Sequence, residues 1–102
     1  MGHFSRIAAS QVRRIVWAPL AGDDLRSIRD YIGQFNPSAA SRFAARLIAT
    51  AESLADFSER GRPASSKRRE LVVGWPYVIR YRIEPERVVI LRVRHGARRR
   101  HE

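Results

Sequence analysis

The 102-residue sequence contains no cysteine and only three histidines. Without cysteine, the chain can form neither a disulfide nor a thiolate nucleophile. Three scattered histidines argue against a zinc site built from this chain, so we expect no metal and no cofactor. No run approaches the roughly 20 apolar residues of a membrane span, and the N-terminus lacks a continuous apolar signal core. These absences predict a cytoplasmic protein with no membrane partner.

Negative charge is also scarce, and the excess positive charge is concentrated in the second half of the chain. Residues 1–59 hold 7 arginines and 6 acidic residues, a net charge of +1, whereas residues 60–102 hold 13 basic and 4 acidic residues, a net charge of +9. A surface that is merely solubilising would spread these charges evenly. The concentration favours a nucleic acid, a nucleic-acid enzyme or an acidic protein as partner.

The length and the 44% hydrophobic content indicate one domain with a real core. Residues 1–11 show no periodic pattern, and we interpret them as a loose N-terminal arm. The domain proper is therefore predicted to span residues 12–102.

Two helices are predicted in the first half of this domain. Pro19 suits the first position of a helix, and the early Asp23 and Asp24 suit its positive end. Asn36 and Pro37 then provide the N-cap and first position of a second helix. The apolar stripes of the two helices are Leu25, Ile28, Ile32 and Phe35, and Ala40, Phe43, Leu47, Ala51, Leu54 and Phe57. So short a connection predicts an antiparallel helical hairpin.

Strands are predicted at both ends of the domain. Val12–Trp17 is short and rich in β-branched residues, and Glu70–Val73 leads into a hairpin. The first hairpin strand alternates Tyr77, Ile79, Tyr81 and Ile83 with outward Arg80 and Arg82. The second is read with Val89, Leu91 and Val93 inward and with Val88, Ile90, Arg92 and Arg94 outward. Four arginines would then share one face, where either carboxylates or an anionic partner must offset their repulsion.

The order of elements is β-α-α-β-β-β, which gives an α+β fold with the helical hairpin on one face of a small, mainly antiparallel, twisted sheet. Between helices and sheet, residues 58–69 are read as a loop rich in Gly, Pro and Ser that carries Arg62. On the second helix and just beyond it, Ala44, Ile48 and Ala55 lie off the main stripe and could leave a shallow apolar surface for a partner.

The order and spacing of these segments resemble the RelE/ParE superfamily of type II toxin–antitoxin toxins, and the ParE branch most closely. The resemblance covers roughly residues 14–99, from WAPLAGDDLRSIRDYI through NPSAASRFAARLIATAESL, GRP, RELVV and PYVIRYRI to VVILRVRHGARRR. It implies a toxin that is neutralised by a cognate antitoxin, with which it forms a hetero-oligomer.

Two activities are implied by the two branches of this superfamily. ParE-like members inhibit DNA gyrase and need a complementary surface, whereas RelE-like members are ribosome-dependent mRNA endoribonucleases that need an acid–base pair. The last tyrosine here is Tyr81, well before the C-terminus, which favours the gyrase inhibitor. If the chain is a nuclease, the candidate catalytic residues are His95, Arg80 and Arg62, although a structural role for His95 remains the alternative.

Two candidate surfaces follow from the resemblance and the charge pattern. The surface for the target or for nucleic acid comprises Arg62, Arg80, Arg82, Arg92, Arg94, Arg98 and Arg99. An acidic antitoxin segment is expected on Ala44, Ile48 and Ala55 together with Arg80 and Arg82.

Overall fold

The computed structural model describes residues 12–96, so the predicted N-terminal arm and the candidates Arg98 and Arg99 lie outside the described residues. The elements in chain order are β1 (Arg14–Trp17), α1 (Pro19–Gly33), α2 (Pro37–Ser53), β2 (Arg62–Ser65), β3 (Arg68–Gly74), β4 (Tyr77–Ile83) and β5 (Arg87–His95). The sheet order is β1-β5-β4-β3-β2, with β1 parallel to β5 and every other neighbouring pair antiparallel. No helix in the described range is long and apolar enough to span a membrane.

The predicted α+β fold is confirmed, with one strand more than expected. The extra strand, β2, lies within the segment that was read as a loop. All four of its residues are exposed, and Arg62, Pro63 and Ser65 pair with β3. The tight turn between the two strands contains Ser66, which has a left-handed φ of 49°. The sequence Arg-Pro-Ala-Ser gives β2 little strand character, and proline is tolerated here because β2 is an edge strand.

Both helix starts follow the prediction. Pro19 opens α1, and the Asn36 side chain accepts a hydrogen bond from the Ala39 N–H at 3.0 Å, which caps α2. The far ends of both predicted stripes were wrong, because α1 ends at Gly33 and α2 at Ser53. Phe35 and Phe57 lie beyond these ends and are 73% and 64% exposed.

The core lies between the helical hairpin and one face of the sheet. Leu47 and Ala51 of α2 and Leu54, which caps its C-terminal end, are fully buried, and they belong to one cluster with Ile79 and Tyr81 of β4. Burial of large aliphatic side chains contributes about 1.5–3 kcal/mol each, so this cluster holds the hairpin against the sheet.

A β-bulge in β5 alters the predicted assignment of its faces. Tyr81 pairs with Ile90 and Arg80 with Arg92, so Leu91 is an extra residue without a partner on β4. Before the bulge, the residues on the core side are Val88 and Ile90, both fully buried, while Val89 lies opposite Arg82 on the other face. The inward placement of Val89 and Leu91 was therefore wrong.

The same bulge keeps the predicted arginines together. In an uninterrupted ladder, Arg92 would lie opposite Ile79 on the core side, because successive strand residues alternate between faces. The extra residue shifts the alternation by one position, so Val93 lies opposite Ile79 and Arg92 lies opposite Arg80. Arg80, Arg82, Arg92 and Arg94 consequently share the face turned away from the helices.

Candidate functional site

The sheet face opposite the helices carries six arginines, which we call the arginine face: Arg62, Arg68, Arg80, Arg82, Arg92 and Arg94. One row across the sheet consists of Arg62, Glu70, Arg80 and Arg92, each paired in register with the next. In a second row, Arg68 pairs with Arg82. The strands thus bring together five of the predicted target residues, and they add Arg68, which the sequence analysis did not select.

Glu70 is the buried carboxylate of this face, with an exposed fraction of 5%. The Nε–H and Nη2–H of Arg80 donate to its Oε2 at 3.3 and 3.2 Å. A buried carboxylate requires such pairing, because an unpaired buried charge carries a large desolvation penalty. Glu70 therefore fixes the guanidinium of Arg80 in the middle of the arginine face.

Asp24 of α1 has the same function for Arg92. Its two carboxylate oxygens accept hydrogen bonds from Arg92 Nε–H at 2.8 Å and Nη2–H at 3.1 Å, and Oδ2 also accepts from the backbone N–H of Val93 at 2.9 Å. The hydrogen bonds that Arg92 donates to Asp24 raise the pKa of Arg92 above its ordinary value. β1 pairs with β5 only as far as Ile90. Asp24 therefore provides a hydrogen-bond acceptor for the part of β5 that follows Ile90, which β1 does not reach.

Glu84, between β4 and β5, neutralises a third arginine. It accepts from Arg87 Nε–H at 2.5 Å and from Arg82 Nε–H at 2.8 Å. Hydrogen bonds from Arg87 and then from Arg82 hold the pKa of Glu84 below its ordinary value. Carboxylates therefore offset Arg80, Arg82 and Arg92, which answers for these three arginines the question that the sequence left open.

The face nevertheless remains cationic, because within residues 12–96 its six arginines outnumber Glu70, Asp24 and Glu84, the three carboxylates that pair with Arg80, Arg92 and Arg82. A guanidinium carries five N–H donors, and one carboxylate partner does not use them all. Pairing thus orients Arg80, Arg82 and Arg92 while leaving them able to bind a further anion. No group of three His, Asp or Glu side chains that could hold a metal ion occurs within residues 12–96.

His95 lies on the other side of the sheet. It pairs in register with Tyr77, and the two rings meet edge to face with their centroids 5.5 Å apart. Its Nδ1 is buried and has no hydrogen-bond partner among the described residues. His95 also lines a groove of about 480 Å³, whose other polar or aromatic lining residues include Asp24, Tyr31, Tyr77, Arg92 and Arg94. The predicted nuclease set is therefore not assembled, since Arg62 and Arg80 share one face and His95 faces the helices.

The predicted apolar surface is only partly a helix surface. Ala44 and Ile48 lie on α2, where Ile48 is 44% exposed. Ala55 follows the end of the helix, and its carbonyl accepts the Arg13 N–H at 2.9 Å. These residues lie on the helical layer, so the sheet separates them from Arg80 and Arg82.

Comparison with known proteins was made on sequence and on fold. A family model described as the ParE toxin of type II toxin–antitoxin system, parDE, matches residues 15–100. "Toxin RelE2" of Caulobacter vibrioides is 55% identical over 85 residues, which cover 83% of this chain and 97% of the relative. "Toxin RelE3" of the same organism is 38% identical over 92 residues, which cover 87% of this chain and all of the relative.

A solved structure titled "Chromosomal ParDE TA system from P. aeruginosa" superposes with a TM-score of 0.75 at 23% identity. The alignment covers 84% of this chain and 98% of that one. The TM-score over this coverage establishes the shared fold. It leaves the target of this chain to be argued from its own residues.

Proposed function

The chain belongs to the ParE toxin family of type II toxin–antitoxin systems, and on that premise we propose that it acts as an inhibitor of DNA gyrase that binds its target without catalysing a reaction. Toxins of this class pair with a cognate antitoxin. The toxin surface that would meet gyrase or its bound DNA is the arginine face, extended by Arg98 and Arg99.

The observation that supports binding over catalysis is the separation of His95 from Arg62 and Arg80. Cleavage at a 2′-hydroxyl requires a base, an acid and a phosphate clamp that all reach the same substrate. Arg62 and Arg80 offer a clamp, but His95 lies on the other face of the sheet, and the arginines that share its groove are Arg92 and Arg94. The hydroxyl of Tyr81 is buried, where it donates to the Ser58 carbonyl at 2.7 Å and accepts from the Gly61 N–H at 2.8 Å.

The proposal is tested by adding the purified toxin to a gyrase supercoiling reaction. We expect loss of supercoiling or accumulation of cleaved DNA, and we expect expression in cells to arrest growth. Arg62→Gln should weaken inhibition, because Arg62 is an exposed member of the arginine face. Arg42→Gln, which removes an exposed arginine from α2, is the control of equal charge. Normal supercoiling at a large excess of toxin would contradict the proposal.

A ribosome-dependent mRNA endoribonuclease is the second candidate, because two relatives carry the name RelE and the same arginines would clamp a scissile phosphate. This candidate predicts cleaved transcripts in ribosome-containing extracts. If transcripts are cleaved, His95→Ala decides the role of the histidine. Unchanged cleavage would exclude His95 as the acid or base. The catalytic acid or base would then have to lie on the arginine face.

For the antitoxin, we propose contact with two sides of the toxin. An apolar part would cover Ala44, Ile48 and Ala55 on the helical layer, and an acidic part would cover Arg80 and Arg82 on the arginine face. Because the sheet lies between these surfaces, the antitoxin must pass around an edge of the domain. A partly disordered chain that folds on binding can wrap in this way.

A further inference from the structure

A basin opens on the arginine face at the point where α1 begins. Its volume is about 430 Å³, within the range of roughly 300–1,000 Å³ that is usual for ligand pockets. Four segments form it: the start of α1, the bulged part of β5, and the strands β3 and β4. The residues that line it are Ala18, Pro19, Leu20, Leu91, Arg68, Arg80, Arg92 and Arg94.

The floor of this basin is aliphatic. Leu20, in the first turn of α1, is 56% exposed, and Leu91 is the residue that the bulge releases from pairing with β4. No aromatic ring lines the basin within the described part of the chain. Nucleobases bind mainly by stacking on aromatic side chains, which this floor does not offer. An aliphatic side chain, by contrast, would bury apolar surface against Leu20 and Leu91.

The rim of the basin is cationic and partly fixed in position. Glu70 holds Arg80, and Asp24 holds Arg92, whereas Arg68 forms no ion pair within residues 12–96. Guanidinium groups bind carboxylates through paired, parallel hydrogen bonds. The first turn of α1 contains no acidic residue, and Ala18 provides no side-chain cap, so nothing in that turn opposes a negative ligand.

We propose that this basin binds an acidic peptide segment in which an aliphatic residue is flanked by carboxylates. The aliphatic side chain contacts Leu20 and Leu91, and the flanking carboxylates pair with Arg68 and the neighbouring arginines. The source of the segment is the cognate antitoxin, an assignment that rests on the proposed function. Occupation of the basin covers Arg80 and Arg92, so the antitoxin and the target compete for the same guanidinium groups.

The test uses the full-length toxin and three fluorescent probes in an anisotropy titration. The probes are a blocked hexapeptide alternating glutamate and leucine, the same peptide with serine in place of leucine, and an oligothymidylate of equal charge. We expect the leucine peptide to bind at least about fivefold more tightly than the serine peptide, since burial of one aliphatic side chain supplies more than the roughly 1 kcal/mol that this ratio requires.

Matched variants locate the peptide on the toxin. Leu20→Ser should abolish the preference for leucine, whereas Ile48→Ser, which alters an exposed aliphatic residue on α2, should retain it. Arg68→Gln should weaken both peptides about threefold or more, and Arg42→Gln should not. Circular dichroism of each variant checks that it is folded, and the exposed positions of all four residues make this the expected result.

Several outcomes would overturn the inference. They are equal affinity for the leucine and serine peptides, tighter binding of oligothymidylate than of the leucine peptide, or equal effects of Leu20→Ser and Ile48→Ser. The gyrase reaction separates this inference from the proposed function. Leucine-dependent binding without gyrase inhibition would support the peptide site in the basin and contradict the proposed gyrase target. Gyrase inhibition without leucine-dependent binding would contradict the peptide site and leave the proposed target intact.

Discussion

Individual residues tie the arginine face to the core of the domain, and Tyr81 is the clearest example. Its side chain is fully buried, and its hydroxyl joins Ser58 and Gly61 at the start of the β2 hairpin. Gly61 has no room for a side chain, because an added Cβ would lie 2.7 Å from both the Tyr81 hydroxyl and the Glu70 carbonyl. The ring of Tyr81 therefore belongs to the core, while its hydroxyl fixes the segment that leads to Arg62.

Replacement of this hydroxyl tests the anchor. Tyr81→Phe should lower the free energy of unfolding by about 1–3 kcal/mol, because it leaves the buried Gly61 N–H without its partner. The measurement is chemical denaturation at neutral pH, with Tyr31→Phe as the control, since Tyr31 is 58% exposed. Equal stability of Tyr81→Phe and the wild type would show that the hydroxyl contributes no net stabilisation.

The same residue predicts how stability depends on alkaline pH. Burial raises the pKa of Tyr81 above its ordinary value of 10.0. The phenol then ionises in the unfolded chain before it ionises in the folded one, so the folded state binds more protons between the two pKa values. The stability that Tyr81 contributes is thus complete below pH 10 and is lost as the pH rises through the folded pKa. Tyr81→Phe should flatten this alkaline decline, and an unchanged decline would assign it to other groups.

Asp23 and Asp24 are neighbours in the sequence but differ in what they stabilise. Asp23 pairs with Arg26 on the exposed side of α1, where ion pairs contribute little, about 0–1 kcal/mol. Asp24 holds Arg92 and the Val93 N–H at once. We expect Asp24→Ala to destabilise the fold by about 1–3 kcal/mol and Asp23→Ala by less than about 0.5 kcal/mol. Thermal unfolding of the two variants measures the difference, and equal melting temperatures would contradict it.

At the scale of secondary-structure elements, features that depend on a few neighbouring residues could be predicted from the sequence, whereas features that depend on pairing between distant segments could not. The starts of α1 and α2 could be predicted, because Pro19, Asn36 and Pro37 act within one turn. The strand β2 and the bulge at Leu91 could not, since pairing across strands decides both. Of the candidate site, the arginines could be predicted from alternation, but the Asp24–Arg92 pair joins residues 68 positions apart and leaves no local pattern.

The bulge makes opposite predictions for two adjacent residues of β5. The alternation of the sequence places Leu91 inside and Ile90 outside, whereas in the structure Ile90 is fully buried and Leu91 lies in the basin. Ile90→Ala should therefore cost about 2–4 kcal/mol of stability, and Leu91→Ala less than about 1 kcal/mol. Denaturant titration of both variants measures this, and a larger loss for Leu91→Ala would contradict the bulged register.

At the scale of the whole molecule, the two proposed partner surfaces lie on opposite sides of one sheet. The helical layer presents Ile48, and the arginine face presents Arg68. Within residues 12–96, neither side chain forms an ion pair or a hydrogen bond. A substitution at either position therefore breaks no such contact. The toxin can therefore be altered on one side while the other side is left intact.

The location of these two surfaces on opposite sides of the sheet predicts how the antitoxin complex responds to substitution. Ile48→Asp and Arg68→Gln should each weaken binding of the antitoxin, the first through lost apolar contact and the second through a lost charge. Because the two residues lie on opposite sides of the sheet and share no partner, the double variant should show the sum of both free-energy changes within about 0.5 kcal/mol. Isothermal titration calorimetry with the cognate antitoxin measures all three. Wild-type affinity for either single variant would mean that the antitoxin covers one side alone, and the wrapped arrangement would then be wrong.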